Sequence, residues 1–394
     1  MKIREIRAFP LRQPTTARAE RSAAEAAAAR RSAWTVKSEV AGPMSCFPRF
    51  KRSRASWRPA WPDVGCVVLA EDGGWGFGVT RYGPPVAAVI TGHLGPLLVG
   101  EEADGIERLW DMMVRAASPY GATGLASYAI SALDLALWDL KGRRLGRPVY
   151  DLIGGAARER IEVYATGNDT DWHMELGFRA TKLACPYGPA DGPDGMARNE
   201  ALVARTRDLV GPGVEVMLDC WMAFDVAYAV RLAERLRPYG LRWIEDFLLP
   251  EDIDGYAAVR GRLPWQGLAA GEHWYGTFPF AQAAARRMLD LFQPDIHWCG
   301  GLTPCLKICH LAEAAGIAVS LHAGMNTAYG QHLSFAMPNA ALGEYFLGTD
   351  PGTPLERTPG IPGTPVPRDG VLVPSDRPGF GLEIDLDWIG RMRL

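Results

Sequence analysis

Three short apolar runs near the middle of the chain each end in an acid. The run VEVMLD ends at Asp219, LRWIE at Glu245 and GLAAGE at Glu272, and amphipathic segments with helical spacing lie between them. A carboxylate at the C-terminal end of successive parallel strands is how a (β/α)8 barrel gathers three ligands around one cation. Oxygen ligands of this kind suit Mg²⁺, and no HxH pair or HExxH helix in the sequence indicates a zinc hydrolase.

Further ionisable residues fall at the same end of neighbouring apolar runs, namely Lys182, His273, Asp295, His322 and Glu344. Asp295 and His322 are separated by one strand–helix unit, so we expect them on adjacent strands. A carboxylate beside an imidazole fixes its tautomer and raises its basicity, which a general base requires. The set predicts that His322 removes a proton beside a substrate carboxylate, while Mg²⁺ and Lys182 stabilise the enediolate.

The elements that must position these residues change character along the chain. The first part shows strands followed by helices, which indicates a separate α+β unit. The predicted elements of this part are a strand at Lys2–Leu11, a hairpin of Gly65–Ala70 and Gly74–Thr80, and helices at Pro85–Leu97, Glu107–Ala117 and Tyr128–Arg144. The last of these helices is so apolar that we expect it to be buried on most sides.

After Gly154 the pattern becomes a strict alternation of strand and helix, which predicts a single (β/α)8 barrel. The eight predicted strands are Ile161–Thr166, Phe178–Leu183, Val214–Asp219, Leu241–Glu245, Gly267–Glu272, Leu291–Asp295, Ile317–His322 and Ala341–Phe346. The fold class is therefore α/β, a TIM-type barrel with an α+β N-terminal capping domain that the C-terminal tail completes. We expect the cap at residues 1–130 with 355–394 packing back on it, and the barrel at 131–354.

The amino-acid composition indicates which kinds of partner the protein can bind. The 394 residues are 48% hydrophobic and 22% charged, with a formal net charge of −3, so we expect no nucleic-acid partner. No run of 18 apolar residues predicts a membrane span. Seven cysteines without a CxxC pair are typical of reduced thiols, so we expect a cytoplasmic protein, and a homo-oligomer that acts on a small molecule.

Several strings together resemble the enolase superfamily, in its mandelate racemase subgroup, and within it the L-rhamnonate dehydratases and related acid-sugar dehydratases. The strings are GPMSCFPRFKRSRASW, ISALDLALWDLKG, YATG, MLDCWMAFD, RWIED, GEH, QPDIHWCGG and DRPGFG. The resemblance implies Asp219, Glu245 and Glu272 as Mg²⁺ ligands and Asp295 with His322 as the catalytic dyad. It also implies Glu344 as a hydrogen-bonding partner near the substrate carboxylate.

One departure from the family pattern bears on the reaction. Mandelate racemase-like members carry Lys-x-Lys at the end of the second barrel strand, whereas this chain has Lys182 followed by Leu183 and Ala184. The missing second lysine removes the base on the opposite face, which a racemase needs and a dehydratase does not. We therefore expect Mg²⁺-dependent dehydration of an L-rhamnonate-like aldonate to a 2-keto-3-deoxy acid, with His322 as base and then acid.

A second departure bears on the substrate. L-rhamnonate dehydratases carry a histidine just before the tryptophan of the N-terminal loop, where this chain has Ala33 before Trp34. Arg54 matches their substrate-contacting arginine, and Trp34 and His273 are further candidates for substrate binding, although His273 could be structural. The alternatives are an acid-sugar epimerase of the same superfamily and a catalytically silent binding or scaffold protein on this fold.

Overall fold

The computed structural model describes residues 1–12, 40–51, 56–358 and 360–394. The chain opens with an antiparallel sheet in the order β1-β2-β3, formed by Ile3–Leu11 (β1), Asp63–Ala70 (β2) and Trp75–Thr80 (β3). The tight turn between β2 and β3 contains Gly73 at φ 87°, a left-handed conformation that glycine adopts without steric cost. The predicted opening strand and hairpin are confirmed.

The helix predicted at Pro85–Leu97 is confirmed in extent, but it is not a regular α-helix throughout. The structure has a helix at Gly83–Val89 (α1), a π-helical turn at Ile90–Leu94 and a second short helix at Gly95–Leu98 (α2). Pro96 cannot donate an amide hydrogen bond, and in a regular helix its ring would clash with the carbonyl four residues back. The wider turn, in which the Gly95 amide donates to the Ile90 carbonyl oxygen, relieves that clash.

The predicted buried helix is confirmed and lies at the centre of the molecule. It follows Ile106–Ala117 (α3) and runs over Leu125–Leu145 (α4), which is buried from Ala126 to Leu140 and exposed at Leu125 and at its C-terminal end. Strand β3 packs directly on its backbone, because a Cβ on Gly78 would lie only 2.0 Å from the Ala132 carbonyl oxygen. A short helix at Val149–Leu152 (α5) leads into the barrel.

Eight parallel strands then form a near-closed barrel in the order β10-β9-β8-β7-β6-β5-β4-β11. They are Ile161–Thr166 (β4), Ala180–Ala184 (β5), Glu215–Asp219 (β6), Ile244–Glu245 (β7), Leu268–Ala270 (β8), Leu291–Phe292 (β9), Ala318–Val319 (β10) and Leu342–Phe346 (β11). The helices between them are Thr170–Glu175 (α6), Gly192–Val210 (α7), Val226–Leu236 (α8), Ile253–Arg262 (α9), Phe278–Ala285 (α10), Leu302–Ala314 (α11) and Ala328–Ala336 (α12).

Several barrel strands are shorter than predicted at their C-terminal ends. Strand β8 ends at Ala270, β9 at Phe292 and β10 at Val319, so Glu272, Asp295 and His322 lie in the turns that follow. Gly271 at φ 137° turns the chain out of the sheet before Glu272, and Pro294 cannot donate to a ladder before Asp295. The predicted fold class is confirmed, with the ionisable residues placed just beyond the strands.

The tail returns to the start of the chain. Strand Val371–Leu372 (β12) pairs antiparallel with β4, and after the helix Leu386–Met392 (α13) the Leu394 amide donates to the Pro10 carbonyl oxygen at 3.0 Å. One apolar core runs from the N-terminal sheet through α4 into the barrel. The boundaries at residues 130 and 354 stay a prediction, because α4 packs against both parts.

The state of the cysteines and the apolar character of the helices complete the description of the fold. All seven cysteines are free thiols, and six of them are buried. Within the ranges that the structure describes, no helix has the length and apolar character needed to cross a membrane.

Candidate active site

Three carboxylates converge at the C-terminal end of the barrel. Asp219 and Glu245 are the last residues of β6 and β7 and lie side by side in the sheet, and Glu272 follows two residues after β8. One oxygen from each lies within 4.8 Å of the others. The arrangement offers three hard oxygen ligands that could hold one divalent cation and still leave positions for water and substrate.

Glu245 is oriented by two donors that share one of its oxygens. Trp243 Nε1 donates to Glu245 Oε2 at 2.6 Å, and Gln293 Nε2 donates to the same oxygen at 2.7 Å. The other oxygen, Oε1, pairs with the Lys182 ammonium. Burial raises the pKa of Glu245 to about 8, and the nearby charges of Asp219 and Glu344 act in the same direction. So much negative charge in a buried place fits a cation-binding site.

Lys182 and Glu344 form a buried pair beside this cluster. Lys182 Nζ lies 2.8 Å from Glu344 Oε1 and 3.9 Å from Asp219 Oδ2. Glu344 also accepts from Thr166 Oγ1 at 2.5 Å and from the Ala323 amide at 2.8 Å. Burial alone would raise the pKa of Glu344, but the charges of Lys182 and His322 and these hydrogen bonds lower it to about 2. Glu344 is therefore ionised, with its donors supplied by the protein.

Asp295 and His322 form a hydrogen-bonded pair next to the carboxylates. Asp295 Oδ2 accepts from His322 Nδ1 at 2.7 Å, and Asp295 Oδ1 accepts from the His297 amide at 2.7 Å. The second ring nitrogen, His322 Nε2, lies 3.1 Å from Glu272 Oε2. Burial would lower the pKa of His322, but the Glu272 charge and the Asp295 bond raise it to about 10. A divalent cation at Glu272 would oppose the largest raising effect and so lower that pKa.

His273 lies on the site side of its turn. Its Nδ1 is 3.1 Å from Asp246 Oδ2 and 3.1 Å from Glu272 Oε1. On a continuing strand His273 and Glu272 would point to opposite faces, but β8 ends at Ala270, so both side chains can reach the site. The rings of Trp221 and Trp298 both pack against the His273 ring, with centroids 6.3 and 5.6 Å from its centroid.

Left-handed backbone at four non-glycine residues shapes this rim. Trp221 (φ 41°) and Met222 (φ 61°) follow Asp219, Asp246 (φ 47°) follows Glu245, and Ala323 (φ 47°) follows His322. Such conformations cost free energy and persist where the surrounding structure enforces them. At each place the chain leaves the barrel sharply just after a candidate site residue.

A segment of the cap closes the side of the site at Ala184. The Ala41 amide donates to the Cys185 carbonyl oxygen at 2.9 Å, and Val40 packs on Ala184. A Cβ on Gly42 would lie 2.6 Å from the Trp221 ring, so this segment rests directly on Trp221. The position of the absent second lysine is thus covered by the cap. The predicted substrate-binding residues Trp34 and Arg54 lie outside the described residues.

Sequence reasoning missed Trp243, Gln293, Trp298 and Asp246. Trp243 and Gln293 each stand two positions before a predicted site residue, Glu245 and Asp295, so the alternation of strand side chains could have identified them. Trp298 and Asp246 lie beyond the strand ends, where no periodicity applies.

Two protein-family models match the chain. The model for the mandelate racemase / muconate lactonizing enzyme N-terminal domain matches residues 64–154, and the enolase C-terminal domain-like model matches residues 170–388. The chain belongs to the enolase superfamily, in its mandelate racemase subgroup. The resemblance inferred from the motifs is therefore confirmed.

Two relatives and one solved structure within this superfamily are similar to this chain over most of its length. A relative from Caldivirga maquilingensis is 38% identical over 357 residues, which is 89% of each chain. The L-rhamnonate dehydratase of Saccharopolyspora erythraea is 37% identical over 356 residues, or 89% of this chain and 90% of that protein. The crystal structure of rhamnonate dehydratase from Gibberella zeae complexed with Mg has a TM-score of 0.90 and 32% identity, covering 100% of this chain and 96% of that one.

Proposed function

We propose that this protein is a Mg²⁺-dependent acid-sugar dehydratase that converts an L-rhamnonate-like aldonate to a 2-keto-3-deoxy acid. The observation that carries the proposal is the contact of His322 with both Asp295 and Glu272, which places a dyad imidazole against the three-carboxylate cluster. Support comes from the L-rhamnonate dehydratase of S. erythraea and the Mg-complexed rhamnonate dehydratase of G. zeae, which this chain resembles over most of its length.

Asp219, Glu245 and Glu272 would hold Mg²⁺, which supplies positive charge that stabilises an enediolate formed from the substrate carboxylate. Lys182 is fully buried and lies 3.9 Å from Asp219, so its ammonium adds a second fixed positive charge to the same place. A charge that is already in position when the enediolate forms needs no reorganisation at that moment.

His322 Nε2 is the atom that takes the proton from C2. Asp295 accepts from Nδ1, which fixes the tautomer with a free lone pair on Nε2 and stabilises the imidazolium that forms. The side chain is 16% exposed, enough to meet a substrate. The proton now on Nε2 then passes to the C3 hydroxyl, which departs as water while the C2–C3 double bond forms. The resulting enol gives the 2-keto-3-deoxy acid.

The cap side of the site supports elimination over epimerisation. Epimerisation needs a second base that faces the opposite side of C2, where the family's Lys-x-Lys pattern would place a lysine at position 184. Here Ala184 is buried under Val40. A chain with one base at C2 can still remove the proton and expel the hydroxyl from the same face.

The test is a screen of C5 and C6 aldonates and aldarates, with Mg²⁺ present, for formation of 2-keto-3-deoxy acid, run on the wild type and on His322→Asn. We expect turnover of a small group of aldonates and a loss of about 10²–10⁴-fold in kcat for the variant, the usual contribution of a general base. Deuterium wash-in at C2 without dehydration would favour the epimerase. The proposal would be contradicted if no compound in the library were dehydrated, or if His322→Asn had the same kcat as the wild type.

A further inference from the structure

The site contains a second pair of imidazole and carboxylate, Asp246 with His273. Asp246 Oδ2 lies 3.1 Å from His273 Nδ1, and both residues border Glu272. His322 borders the same Glu272 from its other oxygen. The two histidines therefore flank one candidate metal ligand, and each has its own carboxylate on Nδ1.

Asp246 is the carboxylate that can stay with His273 under the proposed function. Glu272 also contacts His273 Nδ1, at 3.1 Å, but its oxygens are needed for the cation. The backbone of Asp246 is fixed independently, because its amide donates to the Ala269 carbonyl oxygen and its own carbonyl accepts from the Met222 amide. Asp246 is therefore held by strand β8 and by the turn after β6, while its side chain reaches His273.

The remaining ring nitrogen of His273 is open to a ligand. His273 Nε2 makes no hydrogen bond to a described residue, yet it is not among the buried atoms that lack partners, and the side chain is 17% exposed. Contacts with the Trp221 and Trp298 rings restrict the rotation of the imidazole. With a proton kept on Nδ1 by Asp246, Nε2 presents a lone pair to the pocket.

Stability does not explain why an aspartate occupies position 246. Its side chain is almost fully buried, its backbone is left-handed, and it adjoins the acids Glu245 and Glu272. No donor among the described residues reaches its second oxygen, Oδ1. Each of these features costs free energy of folding. A residue kept at such a cost is typical of a functional site.

We infer that Asp246 is a positioning residue, which holds the Nδ1–H tautomer of His273 so that Nε2 faces the sugar acid. This inference rests on the proposed function for the identity of the substrate. It assigns Asp246 no contact with the reacting atoms, and every effect of Asp246 on the reaction passes through His273.

The central test is Asp246→Asn. Asparagine tolerates the left-handed backbone and matches aspartate in size. Its buried amide N–H needs an acceptor and finds it at His273 Nδ1, which moves the ring proton to Nε2, as the corresponding change does in a serine-protease triad. We expect kcat/KM to fall about 10–100-fold, the range for partners of site residues, and Asp246→Glu to recover part of the loss by restoring the carboxylate.

A double-mutant cycle with His273→Asn separates this role from a general structural one. If Asp246 acts through His273, Asp246→Asn lowers kcat/KM by less than about 3-fold in the His273→Asn background. An undiminished effect there would overturn the inference. Asp252→Asn is the control, since Asp252 also accepts a hydrogen bond through its carboxylate, from the Gly255 amide, but does so at the exposed start of α9. We expect that variant to keep wild-type kcat/KM.

A spectroscopic readout decides the inference even if no aldonate is turned over. Proton–nitrogen NMR of ¹⁵N-histidine protein with Mg²⁺, at about pH 9.5 where an imidazole is neutral, reports the tautomer of each ring. His273→Asn identifies the His273 signal among the seven histidines. We expect Nδ1–H in the wild type and Nε2–H in Asp246→Asn. An Nε2–H wild type, or a tautomer that Asp246→Asn leaves unchanged, would overturn the inference, whereas absent turnover would count only against the proposed function.

Discussion

Gln293 illustrates how single residues outside the ligand set prepare it. Its amide and the Trp243 indole both donate to Glu245 Oε2, at 2.7 and 2.6 Å. These bonds fix the rotation of the carboxylate and leave Oε1 directed at Lys182. Partners of this kind orient a metal ligand and tune its charge.

We expect Gln293→Leu to weaken Mg²⁺ binding about 10–100-fold, because leucine fills a similar volume without the donor and leaves Glu245 free to rotate. Isothermal titration of the metal-free protein with Mg²⁺ measures the effect. Gln266→Leu is the matched control, since Gln266 is equally buried and donates to the Leu241 and Gly267 carbonyl oxygens before β8 begins. An equal loss of Mg²⁺ affinity in both variants would mean that Gln293 acts only through stability.

The placement of the three acids and of the Asp295–His322 pair could be predicted from the sequence, because the ends of parallel strands meet on one rim. The orientation of the His273 side chain could not be predicted. A two-residue difference in the end of β8 decides which way its side chain points, and strand ends depend on turns such as Gly271 that a periodic pattern does not resolve. The roles of all these residues stay a proposal.

At the scale of elements, the cap holds the loop between Asp295 and α11. Thr80 Oγ1, at the end of β3, donates to the His297 carbonyl oxygen at 2.6 Å, and the Gly300 amide donates to Ser131 Oγ of α4 at 2.9 Å. Asp134 of α4 accepts from the Thr303 amide at 2.9 Å and from Thr303 Oγ1 at 2.6 Å, in the first turn of α11. The loop that carries Asp295 is thus fixed by residues far from it in sequence.

Asp134 should make stability depend on pH. Burial raises its pKa from 3.8 to about 7 despite the bonds from Thr303. The folded protein therefore binds a proton that the unfolded chain has lost above pH 4, so this group's contribution to stability falls as pH rises from about 4 to 7 and is level above that. We expect Asp134→Asn to flatten the fall, by an amount on the order of a few kcal/mol.

Urea unfolding at fixed Mg²⁺ and at pH 5, 6, 7 and 8 on the wild type and on Asp134→Asn measures this effect. Asp225→Asn is the control for the loss of an aspartate that accepts from a backbone amide, since Asp225 accepts from the Tyr228 amide at the start of α8. Parallel pH curves for Asp134→Asn and the wild type would contradict the prediction.

The contact of β3 with α4 gives a second prediction at this scale. A Cβ on Gly78 would lie 2.0 Å from the Ala132 carbonyl oxygen, and backbone on both sides prevents relief. We expect Gly78→Ala to lower the free energy of unfolding by at least about 2 kcal/mol. Gly92→Ala, at a glycine with nothing within 4 Å of the added carbon, should leave it nearly unchanged. Similar denaturation midpoints for the two variants would contradict this reading of the interface.

The π-helical turn after Val89 shows what a periodic pattern does not resolve. The apolar spacing of residues 85–97 favours one helix, and the backbone is helical throughout, but the spacing does not show the wider turn that accommodates Pro96. By contrast, α4 was predictable because its apolar residues surround the helix on all sides, a pattern typical of burial.

For the whole molecule, cap and barrel share one core. Phe77 of β3, Leu133 of α4 and Leu302 of α11 all belong to the same buried apolar cluster. Trp138 Nε1 of α4 also donates to Thr303 Oγ1 of α11 at 3.0 Å, so a polar contact crosses the same boundary. Opening the cap would expose one side of α4, which is buried over most of its length. The two parts should therefore unfold together.

Mg²⁺ should protect the cap although its candidate ligands all lie in the barrel. A cation that binds only the folded state stabilises it by about 2.7 kcal/mol at 100 times the dissociation constant, and every amide that exchanges through global unfolding slows accordingly. We expect hydrogen exchange of the β2 and β3 amides to slow by the same factor as that of β6, and both effects to vanish in Asp219→Asn. If Mg²⁺ slowed exchange of the barrel amides but not of the cap amides, the cap would open independently of the barrel. That result would contradict the single core that joins the two parts through α4.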